Sequence, residues 1–532
     1  MKKYHKNNRR YFLGALLAVL TGTIFGVILQ FFKGQVLDHA VAGDVHTTLR
    51  YGLLLIGFIL CEVLGFFLYD RFRAQYITGC TRALKQDIFT SILNRSYVAY
   101  KEHPQGEYIA KYTSEAEAIQ ERHFRMLPMF WEILFKIILV SAALFFLDWR
   151  IAIITIGLLT TPLYVPKLIE KPLQNAQSAY LQAVEENLAK VNDWLSGFEI
   201  IKNYSIEQKI LKRFQSVNDH TAKKQLADTQ LGNISGLITT LISYLSYFTV
   251  LACAAWLVLK GDFSAGDFFV AIGMIDQLSY PLISLAGIIR QLVAIKPACK
   301  KMDTFICVPE STKLPGTQEH LHREIRFQDV SFSYDGQRFV LDRWNLTIRK
   351  GNRYLLKGPS GCGKTTAINL LLKYYAPTGG SIEIDGKPLD QINNSYNFIT
   401  VVRQEATLFH DTLRNNLTMY HSIPDARLFE VLNLVGLDRY AHKQDLDSIV
   451  TENGSNFSGG EKKRLCLARA LLRNTDVLIL DEPLANLDPE TVHRIEDLLL
   501  SIQNKTILIV SHQFTGEKLH RFDQVVDFSA TA

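Results

Sequence analysis

The seven cysteines of this 532-residue chain, Cys61, Cys80, Cys253, Cys299, Cys307, Cys362 and Cys466, form no Cys-x-x-Cys and no paired spacing. That excludes a disulfide framework or a zinc site and fits reduced thiols in membrane and cytosol. One-sided charge is missing too: Lys and Arg number 58 against 52 Asp and Glu, a net charge of +6. The basic residues do not gather into a stripe with interleaved aromatics, so nucleic acid is excluded as a partner. A third shortage is regional. The stretches 33–50, 148–150 and 260–267 together hold only four Lys and Arg, whereas the N-terminal tail and the stretches 70–126 and 170–232 hold 22.

What the chain does have, over its first 300 or so residues, is long apolar runs. A helix of about 20 apolar residues crosses the ~30 Å hydrocarbon core of a bilayer. Six segments qualify, near 11–32, 51–69, 127–147, 151–169, 233–259 and 268–295. Any one of them alone could be a buried core helix, but six in series with no soluble domain between them point to a multi-pass membrane protein. The basic flank MKKYHKNNRR ahead of 11–32 resembles that of a signal peptide, yet the apolar run is too long for a signal core. Lys and Arg favour the cytoplasmic side, so both termini are expected in the cytoplasm. The two long connections carry helical periodicity, as in Arg82–Tyr97, and are expected to extend the spans into the cytosol as rods.

Charge inside a span is costly and marks functional suspects. Glu132 and Lys136 are four apart and can pair on one helix face, as a structural pair or as a substrate contact. Glu62 and Asp276 have no local partner, which makes them cavity candidates unless another span neutralises them.

Residues 309–323, beginning PESTKLPG from Pro309 to Gly316, read as a linker between a membrane domain at 1–308 and a soluble domain at 324–532. The runs Ile325–Phe332, Tyr354–Leu356, Ile399–Val402, Val477–Leu480 and Ile507–Val510 read as strands between helical segments, the pattern of a mostly parallel α/β sheet. Directly after YLLK comes Gly358-Pro359-Ser360-Gly361-Cys362-Gly363-Lys364-Thr365-Thr366, a phosphate loop. Its glycines let backbone N–H groups approach phosphate oxygens, Lys364 reaches the β- and γ-phosphates, and the Thr365 hydroxyl can ligate Mg2+. Val477–Leu480 leads into Asp481 and Glu482. By themselves two acids at a strand end suit capping as well as catalysis; beside a phosphate loop, Asp481 suits magnesium and Glu482 suits polarising a water. A second anion cradle, the Ser-Gly-Gly turn of NFSGGEKKR (Asn456–Arg464), opens a helix start far downstream.

With these motifs in this order, nearly the whole chain resembles the ATP-binding cassette (ABC) transporters, specifically half-transporters of the exporter fold. The implied architecture is a membrane α-helical bundle of six exporter-type transmembrane helices plus an α/β P-loop ATP-binding cassette domain. The resemblance implies that Tyr334 in SFSYDG stacks on adenine, although an ordinary strand tyrosine is the alternative. It implies that Gln404 in VVRQE contacts magnesium and senses the membrane domain, that Asp488 touches the opposite subunit, and that His512 contacts the γ-phosphate. Ser458, Gly459, Gly460 and Glu461 match the family signature, which meets the γ-phosphate held by the other subunit. The implied assembly is a dimer of half-transporters, homo- or heteromeric, enclosing two ATP molecules. Tyr100–Glu115 and Gly197–Phe214 look like the cytoplasmic coupling loops.

The implied activity is ATP hydrolysis driving transport by alternating access, with Glu482, His512 and Lys364 as catalytic residues and ATP and Mg2+ as cofactors. The cargo would be an amphipathic small molecule, lipid or peptide crossing a bacterial plasma membrane, in the direction of export. Import of a cofactor or metal chelate, or regulation of a channel, stays open within the same fold, whereas the spans exclude a soluble DNA-maintenance ATPase. Departures from the family pattern are Phe457 and Glu461, where Leu and Gln are usual, and Ala485 and Asn486, where Ser and Ala are usual. Only 20 residues follow His512, so the sheet edge is expected to be trimmed or covered by the partner. No peptidase domain precedes the first span, which speaks against a leader-cleaving peptide exporter.

Overall fold

The computed structural model describes residues 1–161, 170–307, 320–359, 361–392, 395–485, 487–514 and 516–528. The second half of the fourth span (162–169), most of the linker, Ser360 and Asn486 lie outside them. The chain forms two compact units, one of Met1–Leu93 with His103–Val308, the other of Asn94–Glu102 with Pro309–Ala532.

The first unit is helical: α1 (Lys2–Asn7), α2 (Arg9–Val41) and α3 (Val45–Leu93) come first. At ~1.5 Å per residue, the 49 residues of α3 extend roughly 70 Å, more than twice the ~30 Å hydrocarbon thickness, so about half of α3 projects beyond a bilayer as a rod. The segment α4 (Tyr97–Lys101) belongs to the other unit. The helical run then resumes as α5 (Gln105–Leu147), α6 (Trp149–Leu159), α7 (Glu170–Ser196), α8 (Phe198–Asn203), α9 (Glu207–Leu259), α10 (Ala265–Ala294) and α11 (Lys296–Ile306). Five described helical runs are long and apolar enough to cross a membrane, and Trp149–Leu159 is a shorter apolar helix. Two π-helical turns, Lys111–Glu115 and Gln120–Phe124, interrupt the N-terminal part of α5.

The connection expected at 33–50 is mostly helix, because α2 runs to Val41 and α3 starts at Val45. Hydropathy marks where the apolar solvent ends, not where backbone hydrogen bonding ends. The chain reverses only at Gly43, in the left-handed region at φ 76°. Near this end Asp38 of α2 accepts hydrogen bonds from the Ser264 hydroxyl at 2.7 Å and the Gly266 amide at 2.6 Å, tying α2 to the start of α10. Lower down, α2 and α3 approach closely: a Cβ on Gly65 would lie 2.7 Å from the Gly22 Cα. Small residues permit such crossings where lipid offers no hydrophobic drive. Glu132 and Lys136 do pair, at 3.0 Å. Glu62 packs its carboxylate over Gly26, and Asp276 is exposed.

Ahead of the first span, His5 of α1 is held in a buried aromatic cluster with Tyr4, Tyr76 and Phe124. Its Nδ1 lies 2.5 Å from the Tyr76 hydroxyl and its Nε2 3.0 Å from Nε2 of His123. Burial first, and then the neighbouring His123 imidazole, lowers His5 from 6.5 to about 4. A histidine that protonates near 6.5 when unfolded but only near 4 when folded contributes stability above pH 6.5 that is lost as pH falls towards 4. The thermal midpoint of the detergent-solubilised chain is therefore expected to drop between pH 7 and pH 5, with a shallower slope in His5→Gln. An equal slope in the variant would remove His5 from the account.

The second unit holds three sheets, the smallest an antiparallel pair of β7 (Asp411–Thr412) and β8 (Ile449–Val450). Four of the five predicted strands, β3 (Arg353–Lys357), β6 (Ile399–Val402), β9 (Val477–Asp481) and β10 (Thr506–Val510), form one parallel sheet in the order β11-β3-β10-β9-β6, with β11 (Gln524–Asp527) at the edge beside β3. The fifth, β1 (Glu324–Phe332), lies instead in an antiparallel sheet, ordered β2-β1-β4-β5, with β2 (Leu341–Arg349), β4 (Gly379–Ile384) and β5 (Lys387–Pro388). The burial patterns carry the distinction: β9 and β10 are buried at every residue, as a strand covered on both faces must be, while β1 mixes buried and exposed positions. The strand β11 occupies the expected sheet edge, with three of its four residues exposed.

The parallel sheet separates two cores. One contains Trp344, Phe398 and Phe528 against the antiparallel sheet. The other packs Phe514 and Phe522 with helices that include α12 (Asp425–Leu434), α13 (Gly459–Leu472) and α14 (Pro489–Ser501).

Candidate nucleotide site

Ligand loops in open α/β folds leave the carboxyl ends of the strands, and here β3, β10, β9 and β6 end in the phosphate loop, His512, Asp481–Glu482 and Arg403–Gln404 respectively. Sheet order therefore brings together four motifs that are up to about 150 residues apart in the chain. The loop after β3 needs its glycines: Gly358, Gly361 and Gly363 have φ of 143°, 82° and 103°. Lys364 and its helix (Lys364–Leu371) follow at once. The buried Lys364 ammonium donates to the carbonyls of Gly358 at 2.6 Å and Pro359 at 2.8 Å, which places a positive charge within the loop. Cys362 Sγ is 3.6 Å from it. Ser360 lies outside the described residues.

The Thr365 hydroxyl is 3.5 Å from Asp481 Oδ2. Hydroxyl and carboxylate oxygens converging this way are a donor set that fits a hard cation such as Mg2+. Gln404 is exposed just past β6. Burial raises Asp481, opposed by Arg403, Thr365 and Lys364. Glu482 is raised as well, by burial first, with His512 opposing and Asp481 reinforcing. Its carboxylate lies 3.7 Å from His512 Nε2, and its backbone takes the left-handed conformation at φ 51°. A carboxyl raised in this way, beside an imidazole, is suited to accept a proton from water near neutral pH. Tyr334 exposes its ring, braced edge-on by Phe332 and Tyr375, while its hydroxyl is 3.1 Å from Thr366 Oγ1.

The second cradle is a helix start. The Ser458 hydroxyl accepts from the Glu461 amide at 3.3 Å, and Glu461 Oε2 accepts from the Ser458 amide at 2.9 Å, a reciprocal capping box. This leaves the hydroxyl proton of Ser458 and the amides of Gly459 and Gly460 at the open end of α13. A side chain on Gly459 would meet nothing within 4 Å. Among the described residues, no hydrogen bond or ion pair joins this helix start to the phosphate loop. Glu461, grouped with the nucleotide-binding residues by resemblance, directs its carboxylate to the cap. Asp488 caps α14 through the Thr491 amide at 2.9 Å.

Three contributors were not singled out from sequence. Arg403 donates to Asn369 Oδ1 at 2.8 Å and offsets the burial of Asp481. Lys463 donates to the carbonyls of Glu482 at 3.3 Å and Ala485 at 2.8 Å, bracing the turn after β9. Tyr97 of α4 stacks on Tyr374 at 3.8 Å with planes 9° apart, and Arg403 lies over the other partner, Tyr374. The adjacency of Arg403 to Gln404 was the only signal available beforehand.

The sequence profile of the ABC transporter transmembrane region matches residues 11–282, and the profile described as ABC transporter matches 341–485. The chain belongs to the ABC transporter family. This ABC transporter is 26% identical over 508 residues to the lactococcin-G-processing and transport ATP-binding protein LagD of Lactococcus lactis subsp. lactis, covering 93% of this chain and 72% of that one. It is 25% identical over 527 residues to the ATP-dependent lipid A-core flippase of Haemophilus ducreyi, covering 96% and 90%. It is 24% identical over 526 residues to the β-(1→2)glucan export ATP-binding/permease protein NdvA of Bartonella bacilliformis, covering 96% and 87%. A solved bacterial Atm1-family ABC exporter with ATP bound superposes with a TM-score of 0.80 at 22% identity, over 98% of this chain and 93% of that one. The ABC transporter described here is an integral membrane half-transporter of the exporter fold, an ATP-binding ATPase coupled to transport.

Proposed function

We propose that two copies of this chain face each other head to tail, each phosphate loop presenting ATP to the other's Ser458–Gly460 helix start, and that hydrolysis drives export of an amphipathic molecule. The observation that carries this reading is the second cradle, an open helix N-terminus that, among the described residues, meets no phosphate loop of its own chain. Helix α8 favours the same assembly, since Phe198 is 55% and Ile200 60% exposed, with Tyr204 just beyond at 75%. Coupling helices that reach a partner cassette would cover such residues. The domains are then 1–308, with coupling loops 70–126 and 170–232, the linker 309–323 and the cassette 324–532.

In this reading Tyr334 stacks on adenine, and the loop Gly358–Thr366 holds the phosphates through its amides. Lys364 and His512 stabilise charge developing on the γ-phosphoryl oxygens, while Glu482 takes a proton from the attacking water. Thr365, Gln404 and Asp481 are the oxygen donors that would hold Mg2+, which neutralises phosphate charge when bound. An amphipathic peptide or lipid cargo is supported by the two relatives named for lactococcin-G transport and lipid A-core flipping, whereas the third is named for glucan export. The excess of Lys and Arg in the long connections supports both termini lying in the cytoplasm, and the bacterial relatives support a bacterial plasma membrane.

Native mass spectrometry of Glu482→Gln, loaded with Mg-ATP in nanodiscs, tests the assembly. Two chains carrying two ATP support it. A single chain, or a dimer without ATP, would sink the homodimer and send the search to a second half-transporter.

A further inference from the structure

Phe457 and Glu461 both depart from the usual signature, and both meet Tyr440, with Glu461 also meeting Arg439. Arg439 donates to Glu461 Oε1, and the Tyr440 hydroxyl donates to the same oxygen at 3.4 Å. The Tyr440 ring packs on Phe457 with centroids 5.2 Å apart. Arg439 and Tyr440 sit on the turn Asp438–Tyr440 that follows α12. The same turn is tied to α14 by Arg494 and Asp438 at 3.5 Å, and Arg464 of α13 donates to Gly436 just before it at 2.6 Å.

The physical problem is one of charge. A Gln in place of Glu461 would complete the capping box as a neutral group. A Glu puts a carboxylate, only 10% exposed, three residues from the serine that is to receive a triphosphate. Two anions approaching each other across a partly buried interface repel strongly, and the Arg439 guanidinium cancels one of them. The larger Phe457 ring in turn needs a wall, which Tyr440 supplies.

We propose that Arg439 and Tyr440 are positioning residues for the composite ATP site. Arg439 neutralises Glu461, and Tyr440 seats Phe457, so that the α13 N-terminus can accept the partner's γ-phosphate. The departures in the signature and this turn are one compensated unit. This rests on the head-to-tail reading above.

The test is steady-state ATPase of the full chain in nanodiscs, with kcat and KM resolved. Arg439→Ala is expected to raise KM for ATP about 10-fold while kcat changes less than about threefold, because the loss falls on assembly of the sandwich more than on the chemistry. Adding Glu461→Gln to Arg439→Ala is expected to bring KM most of the way back, since the carboxylate that needed neutralising is gone. The double variant decides the matter because it carries the same arginine truncation. A folding or packing defect would persist in it, and a KM that stays raised overturns the proposal, as does an unchanged KM in Arg439→Ala. Ser458→Ala separates this from the reading beneath it. If Ser458→Ala hydrolyses ATP like the parent, the head-to-tail site itself fails. If Ser458→Ala is impaired and Arg439→Ala is not, only the role of Arg439 fails.

Discussion

Glu482→Gln is expected to bind Mg-ATP with undiminished affinity and to hydrolyse it more slowly by a factor of ~10²–10⁴, the range associated with removing a positioned general base. The geometry behind this is specific. Glu482 leaves the end of a fully buried strand in a left-handed backbone conformation, its amide donating to the Val510 carbonyl at 2.9 Å and its carbonyl held by Lys463. Its side chain has little freedom to be replaced by another group. Burial and Asp481 raise its carboxyl, so the acid limb of parent ATPase activity should lie above the ordinary carboxylate range. A glutamine keeps the shape and loses the basicity, so ATP should accumulate unhydrolysed between cassettes. Single-turnover hydrolysis within a few-fold of the parent would remove Glu482 as the base.

Lys364→Ala is expected to lose productive nucleotide binding, with affinity for Mg-ATP falling by ~100-fold or more. A hydrogen bond to a charged group contributes about 1.5–3 kcal/mol, and this ammonium is placed to serve phosphate oxygens that carry most of the ligand's charge. The variant should fold, because among the described residues the Lys364 ammonium spans only the loop carbonyls of Gly358 and Pro359 and the Cys362 sulfur. Nucleotide affinity measured by calorimetry on the full chain checks the first statement, and an unchanged thermal midpoint without ATP checks the second. Parent-like affinity would mean that the loop amides suffice and that Lys364 acts only on the chemical step.

The parts of this molecule legible in the sequence share a physical character. Val477–Leu480 and Ile507–Val510 could be read as strands because a strand covered on both faces must be apolar at each position, and they are. Ile325–Phe332 was equally legible as a strand but not as a member of a separate antiparallel sheet, since local alternation says nothing about which neighbour is bonded. The spans were legible from hydropathy, whereas the helix ends were not: α2 continues nine residues past the predicted limit at 32, because a helix persists in water once its backbone is bonded. Arg439 and Arg403 were invisible for a different reason. Their partners Glu461 and Asn369 lie 22 and 34 residues away, and no motif records that separation.

The order of the motifs, with each strand followed at once by its phosphate, acid or histidine group, was determined by the sequence alone. Such chemistry needs particular atoms at short spacing, and short spacing is what a sequence displays. The tertiary structure decided how those groups meet. Sheet order set the phosphate loop, His512, Glu482 and Gln404 side by side, and the packing of a distant turn supplied the charge that Glu461 requires. Burial and electrostatics act through space, so their consequences exist only once segments remote in the chain have been brought within a few ångströms of each other.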